Sequence, residues 1–135
     1  MLSDATQVGF VGVSDLADAE RFYGGLLGLH LEDQRPFALV HDSGRSQLRI
    51  TLVDVVRAAT YTVLGWVVSD LDGEIDRLVT AGVAFTRYDG MGQDERGVWT
   101  SPSGARIAWF LDPDGNNLSL QGSERPSRTN DETVP

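Results

Sequence analysis

The sequence predicts an α+β fold of two βαβββ modules, whose curved mixed sheets surround a cavity and carry their helices on the outer side. Three observations support this. Val13-Ser14-Asp15-Leu16 returns 55 positions later as Val68-Ser69-Asp70-Leu71. Each copy follows an apolar, β-type run and opens a stretch whose apolar residues recur at helical spacing. Each helical stretch then meets a glycine, Gly28 or Gly82, and β-type patterning resumes. Four identical residues alone are within chance, because both copies are helix starts. Agreement in the wider order of elements favours duplication. Module one takes residues 8–53 and module two residues 61–121 of a single domain, 1–121, with a polar tail over 122–135.

The elements follow in order. Residues 1–7 are a polar lead-in, and 8–13 form an apolar strand despite two glycines. Ser14 and Asp15 offer side-chain oxygens to the free amides of a helix start, and Asp18 and Glu20 suit its positive end. Leu16, Ala19, Phe22, Tyr23, Leu26 and Leu27 give that helix one apolar face, and Gly28 stops it. Strands are expected over 29–32, 37–41 and 47–53, with a turn at 42–45. The last of these alternates, presenting Gln47, Arg49 and Thr51 on its polar side. Residues 54–61 connect the modules. In the second, a strand over 61–68 leads to a helix with Leu71, Ile75, Leu78 and Val79 on one face. Further strands are expected over 83–88, 97–100, 105–111 and 117–121. Asp112-Pro113-Asp114-Gly115-Asn116 reads as a hairpin connection, proline presetting one φ and glycine accepting the positive φ that closes the turn. His30 and His41, beside a helix stop and a turn, read as solvated polar residues.

At 135 residues the chain is long enough to bury a core. Its formal net charge of −9 argues against nucleic acid, whose recognition rests on Lys and Arg neutralising phosphates. No apolar run approaches the roughly 20 residues of a membrane span. The absence of cysteine excludes disulfides, thiolate nucleophiles and thiolate metal sites, and suits a cytoplasmic location. No phosphate-binding loop, Gly-x-Ser-x-Gly elbow or His-Glu-x-x-His motif is present.

Val13-Ser14-Asp15-Leu16 with Arg21-Phe22-Tyr23-Gly24-Gly25-Leu26-Leu27-Gly28-Leu29, followed near the end by the Asp-Pro-Asp-Gly-Asn hairpin, resembles the vicinal oxygen chelate superfamily of glyoxalases, extradiol dioxygenases and fosfomycin- and bleomycin-resistance proteins. The resemblance spans residues 8–121 and implies paired βαβββ modules, a cavity and a homodimer. It further implies metal ligands on the first strand of each module and on the last strand of the second. Those positions hold Val8, Val63 and Ser119. Valine has no lone pair for a divalent cation, and a register shift of one brings in only Gln7, Thr62 or Leu64. Residues 62–66, 88–99 and 104–110 resemble an uncharacterised bacterial branch that has no firm activity to carry over.

What remains is a pocket without a metal or other cofactor. Period two places Phe10 on the side of Val8, and pairing Asp112 with Asn116 sets Trp109 beside Ser119. Arg49 is the strongest anchor for an anionic group if its polar side lines the cavity. Residues 88–99, glycine-rich with Trp99 at their end, read as a loop over the cavity mouth, with Gln93, Asp94 and Glu95 as polar contacts. The expected ligand-binding set is Val8, Phe10, Arg49, Val63, Gln93, Trp99, Trp109 and Ser119. The expected function is small-molecule binding by a metal-free, cytoplasmic homodimer that needs no nucleic acid or membrane. The acidic charge is compatible with a cationic ligand of the bleomycin type. Two other readings stand: a lyase, dioxygenase or isomerase using non-standard metal ligands, and a structural or regulatory homodimer.

Overall fold

In a computed structural model, which describes residues 1–42 and 46–122, the chain forms two compact units. Among the described residues, the first takes in Met1–Val63 together with Asp112–Asn116, and the second Leu64–Leu111 together with 117–122.

The first unit opens with a 3-10 turn, Leu2–Asp4, and strand β1, Gln7–Val13. Asp15 caps α1, Leu16–Ala19, its carboxylate accepting from the Asp18 amide at 2.9 Å. Ser14 does not share the cap. Its hydroxyl donates to Asp114 Oδ1 at 2.6 Å and its amide to Asp114 Oδ2 at 3.1 Å. The helix then leaves α spacing and continues as a π-helix over Glu20–Leu26, the Leu27 amide reaching the Phe22 carbonyl at 2.8 Å. Gly24 lies in this stretch, where a Cβ would fall on the Glu20 carboxylate. Gly28, at φ +79°, ends the helix as its sequence position implies.

Strands β2 (His30–Arg35), β3 (Ala38–Asp42) and β4 (Ser46–Leu52) complete a sheet ordered β1-β4-β3-β2, with β4 parallel to β1 and the other pairs antiparallel. Val11, Val13, Leu39, Leu48 and Ile50 are buried with Ala19 and Tyr23. His41 overturns its solvated reading: it is 1% exposed and donates through Nε2 to Glu20 Oε1 at 2.8 Å. It sits on an inner strand two residues from buried Leu39, so the pleat carries it inward. His30 is exposed, as expected. Most of the turn expected at 42–45 lies outside the described residues.

The loop Asp112–Asn116 belongs to this unit through one buried carboxylate. Asp112 Oδ2 accepts from the Tyr23 hydroxyl at 2.7 Å and from Asn116 Nδ2 at 2.8 Å. Asp112 Oδ1 accepts from the amides of Asp114 and Asn116 at 2.9 and 2.8 Å. Asn116 Nδ2 also donates to the Gly12 carbonyl at 2.9 Å. Burial, reinforced by the Asp112 carboxylate, drives the Tyr23 phenol far above its ordinary range and keeps it a neutral donor.

In the second unit, β5 spans Leu64–Val68, three residues shorter than expected at its start, so Val63 precedes the strand. Asp70 caps α2, Leu71–Thr80, accepting from the Gly73 amide at 3.1 Å. Leu71, Ile75 and Leu78 are buried, whereas Val79 is exposed at the margin of that face. Strands β6 (Trp99–Thr100), β7 (Arg106–Leu111) and β8 (Asn117–Gly122) join β5 in the order β5-β8-β7-β6. The strand expected over 83–88 is reduced to a bridge between Phe85 and Phe110. The Gln93 side chain takes the partner strand's place, accepting from the Tyr88 amide at 2.6 Å and donating to the Thr86 carbonyl at 2.9 Å. Gly122, assigned by composition to the tail, belongs to β8, and the rest of the tail lies outside the described residues.

Replacing Tyr23 by Phe keeps the ring but removes one of the four donors to Asp112. We expect a loss of about 1–3 kcal/mol in urea unfolding, since the acceptor stays buried; a loss within error would show that the carboxylate does not need the phenol. Asp72 gives a pH test. Its hydrogen bond from Arg106, 2.9 Å, holds its carboxyl below the ordinary 3.8. A carboxyl lowered by folding stabilises the protein above its unfolded-state value and loses that contribution as pH falls through the folded one. Stability is therefore expected to decline below about pH 4, with a shallower decline in Asp72→Asn. The half-exposed position keeps the effect small. Unfolding between pH 3 and 6 measures both slopes.

Candidate functional site

The chemistry of each unit lies on the sheet face away from its helix. In the first sheet, alternation puts Val8, Phe10 and Gly12 of β1 on that face with Gln47, Arg49 and Thr51 of β4. The register sets Phe10 directly beside Arg49, and Arg49 beside Val40 of β3. Phe10 is 67% exposed and Val8 40%, while Arg49 is half-buried. An edge strand bearing an open phenylalanine next to a half-sunken guanidinium is an unusual use of surface, because large apolar groups gain by burial.

In the second sheet, Gly65, Ser119 and Trp109 form one row across β5, β8 and β7. This is the neighbour relation that the hairpin pairing implies. Trp99 pairs with Ile107, two residues from Trp109 on the same face, and the indoles of Trp99 and Trp109 lie 6.3 Å apart with planes tilted by 38°. Tyr88 meets Trp109 edge to face, 5.5 Å between centroids. Its hydroxyl accepts from Asn117 Nδ2 at 3.0 Å. Asn117 is buried, and its Oδ1 has no hydrogen-bond partner. Exchanging the amide's O and N would leave the nitrogen unpartnered instead, so either assignment leaves one buried polar atom to be satisfied.

Gly65 is required by the serine opposite it: a Cβ there would collide with Ser119 Oγ. Gln93 does not present a free amide. Its third bond, from Nε2 to the Gly97 carbonyl at 2.7 Å, completes a strap that holds residues 86–97 together, and both amide hydrogens are donated. Asp94 is used in the same way, its Oδ1 accepting from the Arg96 and Val98 amides at 2.9 Å each. Glu95 is exposed. Val63 is exposed beyond the end of β5. The expected ligand-binding set leaves out Tyr88, at the start of the loop over the mouth, and Asn117, which the hairpin pairing puts on the face of Trp109 and Ser119. Period two from Ser119 reaches Asn117, but nothing in the sequence links a loop tyrosine to it.

A divalent metal of the kind expected in this fold does not fit these residues. Val8, Val63 and Ser119 supply only one weak hydroxyl donor. Among the described residues, no three His, Asp or Glu side chains form a cluster able to hold one.

The Gly65–Ser119 approach predicts a coupled pair. Gly65→Ala should destabilise by about 1–3 kcal/mol through overpacking, and adding Ser119→Ala should recover most of the loss. Additive effects in the double-mutant cycle would show that the two positions are not in contact.

The sequence matches the Glyoxalase/Bleomycin resistance protein/Dioxygenase superfamily over residues 6–120. Solved structures agree in fold. A member of that superfamily from Sphaerobacter thermophilus superposes with a TM-score of 0.70 at 22% identity, covering 91% of this chain and all of that one (100%). A glyoxalase/bleomycin resistance protein/dioxygenase from Alicyclobacillus acidocaldarius gives 0.68 at 20% identity, covering 88% and 91%. A lactoylglutathione lyase from Agrobacterium tumefaciens gives 0.69 at 18% identity, covering 88% and 93%. No curated protein matches in sequence. Repeated strand–helix–strand units, the hairpin register and the sequence match together place this chain in the Glyoxalase/Bleomycin resistance protein/Dioxygenase superfamily.

Proposed function

We propose that this protein binds a small organic molecule without a metal ion, acting as a cytoplasmic homodimer in the manner of the resistance-type members of its superfamily. One observation carries the reading: Tyr88, Trp99 and Trp109 form an aromatic wall beside a buried amide of Asn117 with one polar atom unpartnered. Apolar rings give a ligand area to bury, and an unsatisfied buried polar atom gives it a fixed hydrogen-bonding point. Gln93 serves this site indirectly, because its strap positions Tyr88 and the chain leading to Trp99. On this reading Val8, Val63 and Ser119 are pocket or surface residues rather than ligand positions.

The indoles report on their own wall. Titration with uncharged, anionic and cationic bicyclic aromatic compounds should change tryptophan fluorescence saturably for at least one of them. Trp109→Leu should weaken that compound by about tenfold or more, as truncation of a central aromatic contact does, with the circular dichroism unchanged. Chelator should leave the affinity as it was. Silence across the whole panel would count against binding at this wall, and stoichiometric zinc, nickel, manganese or iron in protein purified without chelator would overturn the metal-free reading.

A further inference from the structure

In the first sheet, an arginine stands at the last-strand place that the internal repeat makes equivalent to Ser119 of the second. The repeat shift of 55 that carries Val13 onto Val68 also carries Phe10 onto Gly65. Phe10 pairs with Arg49, and Gly65 pairs with Ser119. Arg49 therefore occupies in module one the last-strand place that Ser119 occupies in module two. A guanidinium at that place repels a divalent cation and offers two parallel N–H donors to an anion.

Its surroundings separate it from the other described arginines. Arg21, Arg35, Arg77, Arg96 and Arg106 each pair with a carboxylate, and Arg87 donates to backbone carbonyls. Arg57 is exposed. Arg49 alone among them is half-buried with neither a hydrogen bond nor an ion pair, in a chain with 20 acidic residues. The acids nearest in register are not paired with it: Asp33 is bound by Arg35, and Glu32 lies at 3.5 Å from Gln47. Partial desolvation without a partner is unfavourable for a charge. On this face its register neighbours are the open ring of Phe10 and the side chain of Val40.

We infer that Arg49 and Phe10 form a subsite for a small organic carboxylate with a flat apolar body, the guanidinium holding the carboxylate and the ring covering the body. This rests on the reading above that the protein binds small molecules, and assigns to the first sheet's own face the charge of what it takes there. The acidic net charge does not oppose it, because fields from distant charges decay over about 8 Å at physiological salt whereas a guanidinium–carboxylate bond is made in contact. One guanidinium suits a planar monoanion.

The test uses 2-naphthoate against 2-naphthylmethanol and 2-naphthylmethylammonium, followed by calorimetry and by 19F NMR of protein carrying 4-fluorophenylalanine, with the Phe10 signal assigned by Phe10→Leu. The wild type should prefer the carboxylate by about tenfold or more over the alcohol, since a charge-assisted bond is at stake. The preference should shrink with added salt, and binding should shift the Phe10 resonance. Arg49→Gln should abolish the preference, Arg49→Lys should keep part of it, and Arg57→Gln should leave it intact. If Arg49→Gln fails to fold, the salt dependence and Phe10 shift in the wild type and in Arg49→Lys still decide the matter. Equal affinities for the three probes, a preference unchanged in Arg49→Gln, or an Arg49→Gln effect confined to oligomeric state would overturn the assignment. Saturable tryptophan quenching with no Phe10 shift would sink this subsite alone; no saturable binding by either readout would sink the binding reading with it.

Discussion

The buried carboxylate of Asp112 is the constraint on which the architecture depends. A charge withdrawn from water needs donors in place of its hydration, and this one has four: the Tyr23 phenol, the Asn116 side chain and two backbone amides of the turn. The amides hold the turn closed, and the phenol ties it to the helix that follows β1. Asp112 and Asn116 are thereby paired, the Asp112 amide donating to the Asn116 carbonyl at 3.0 Å. Once that pair is set, each later pair of β7 and β8 follows by counting, down to Trp109 beside Ser119 and Phe110 beside Leu118. A slip of one residue would put Phe110 and Leu118, both fully buried, on the open face.

The two sheets carry different chemistry on equivalent positions. Gly65 and Ser119 make a close, small-residue contact beside an aromatic wall, while Phe10 and Arg49 make a large, charged one. The same strand pairing occurs in both sheets, with different side chains at the matched register places. The helix-side core of each sheet, with Leu39, Leu48 and Ile50 in the first and Phe110, Leu118 and Leu120 in the second, does not include these positions.

The helix-side polar pair shows how local sequence and packing compete. His41 is read from its neighbours as a turn residue, yet it lies under the π-helical segment with Glu20 as partner. Gly24 leaves room for that carboxylate, so the wider helical spacing, the glycine and the buried imidazole belong to one arrangement. The loop over residues 86–97 illustrates the converse. The stretch leading into it, residues 83–88, has strand character, but the Gln93 side chain takes the Tyr88 amide and the Thr86 carbonyl that a neighbouring strand would have paired.

By itself, the sequence determined whatever depends on short-range pattern. Helix starts at Asp15 and Asp70, the stop at Gly28, the alternation of β4 and the pairing across the Asp112–Asn116 turn are local, each following from neighbours a few positions apart. That valine at positions 8 and 63 offers no lone pair is equally a property of the sequence alone. Tertiary structure decided the rest. Tyr88 against Trp109, the unpartnered atom of Asn117, the burial of His41 and the isolation of Arg49 all depend on residues distant in sequence. Whether a polar side chain is solvated, satisfied or left waiting for a ligand is a property of its neighbours in space, and no local pattern encodes it.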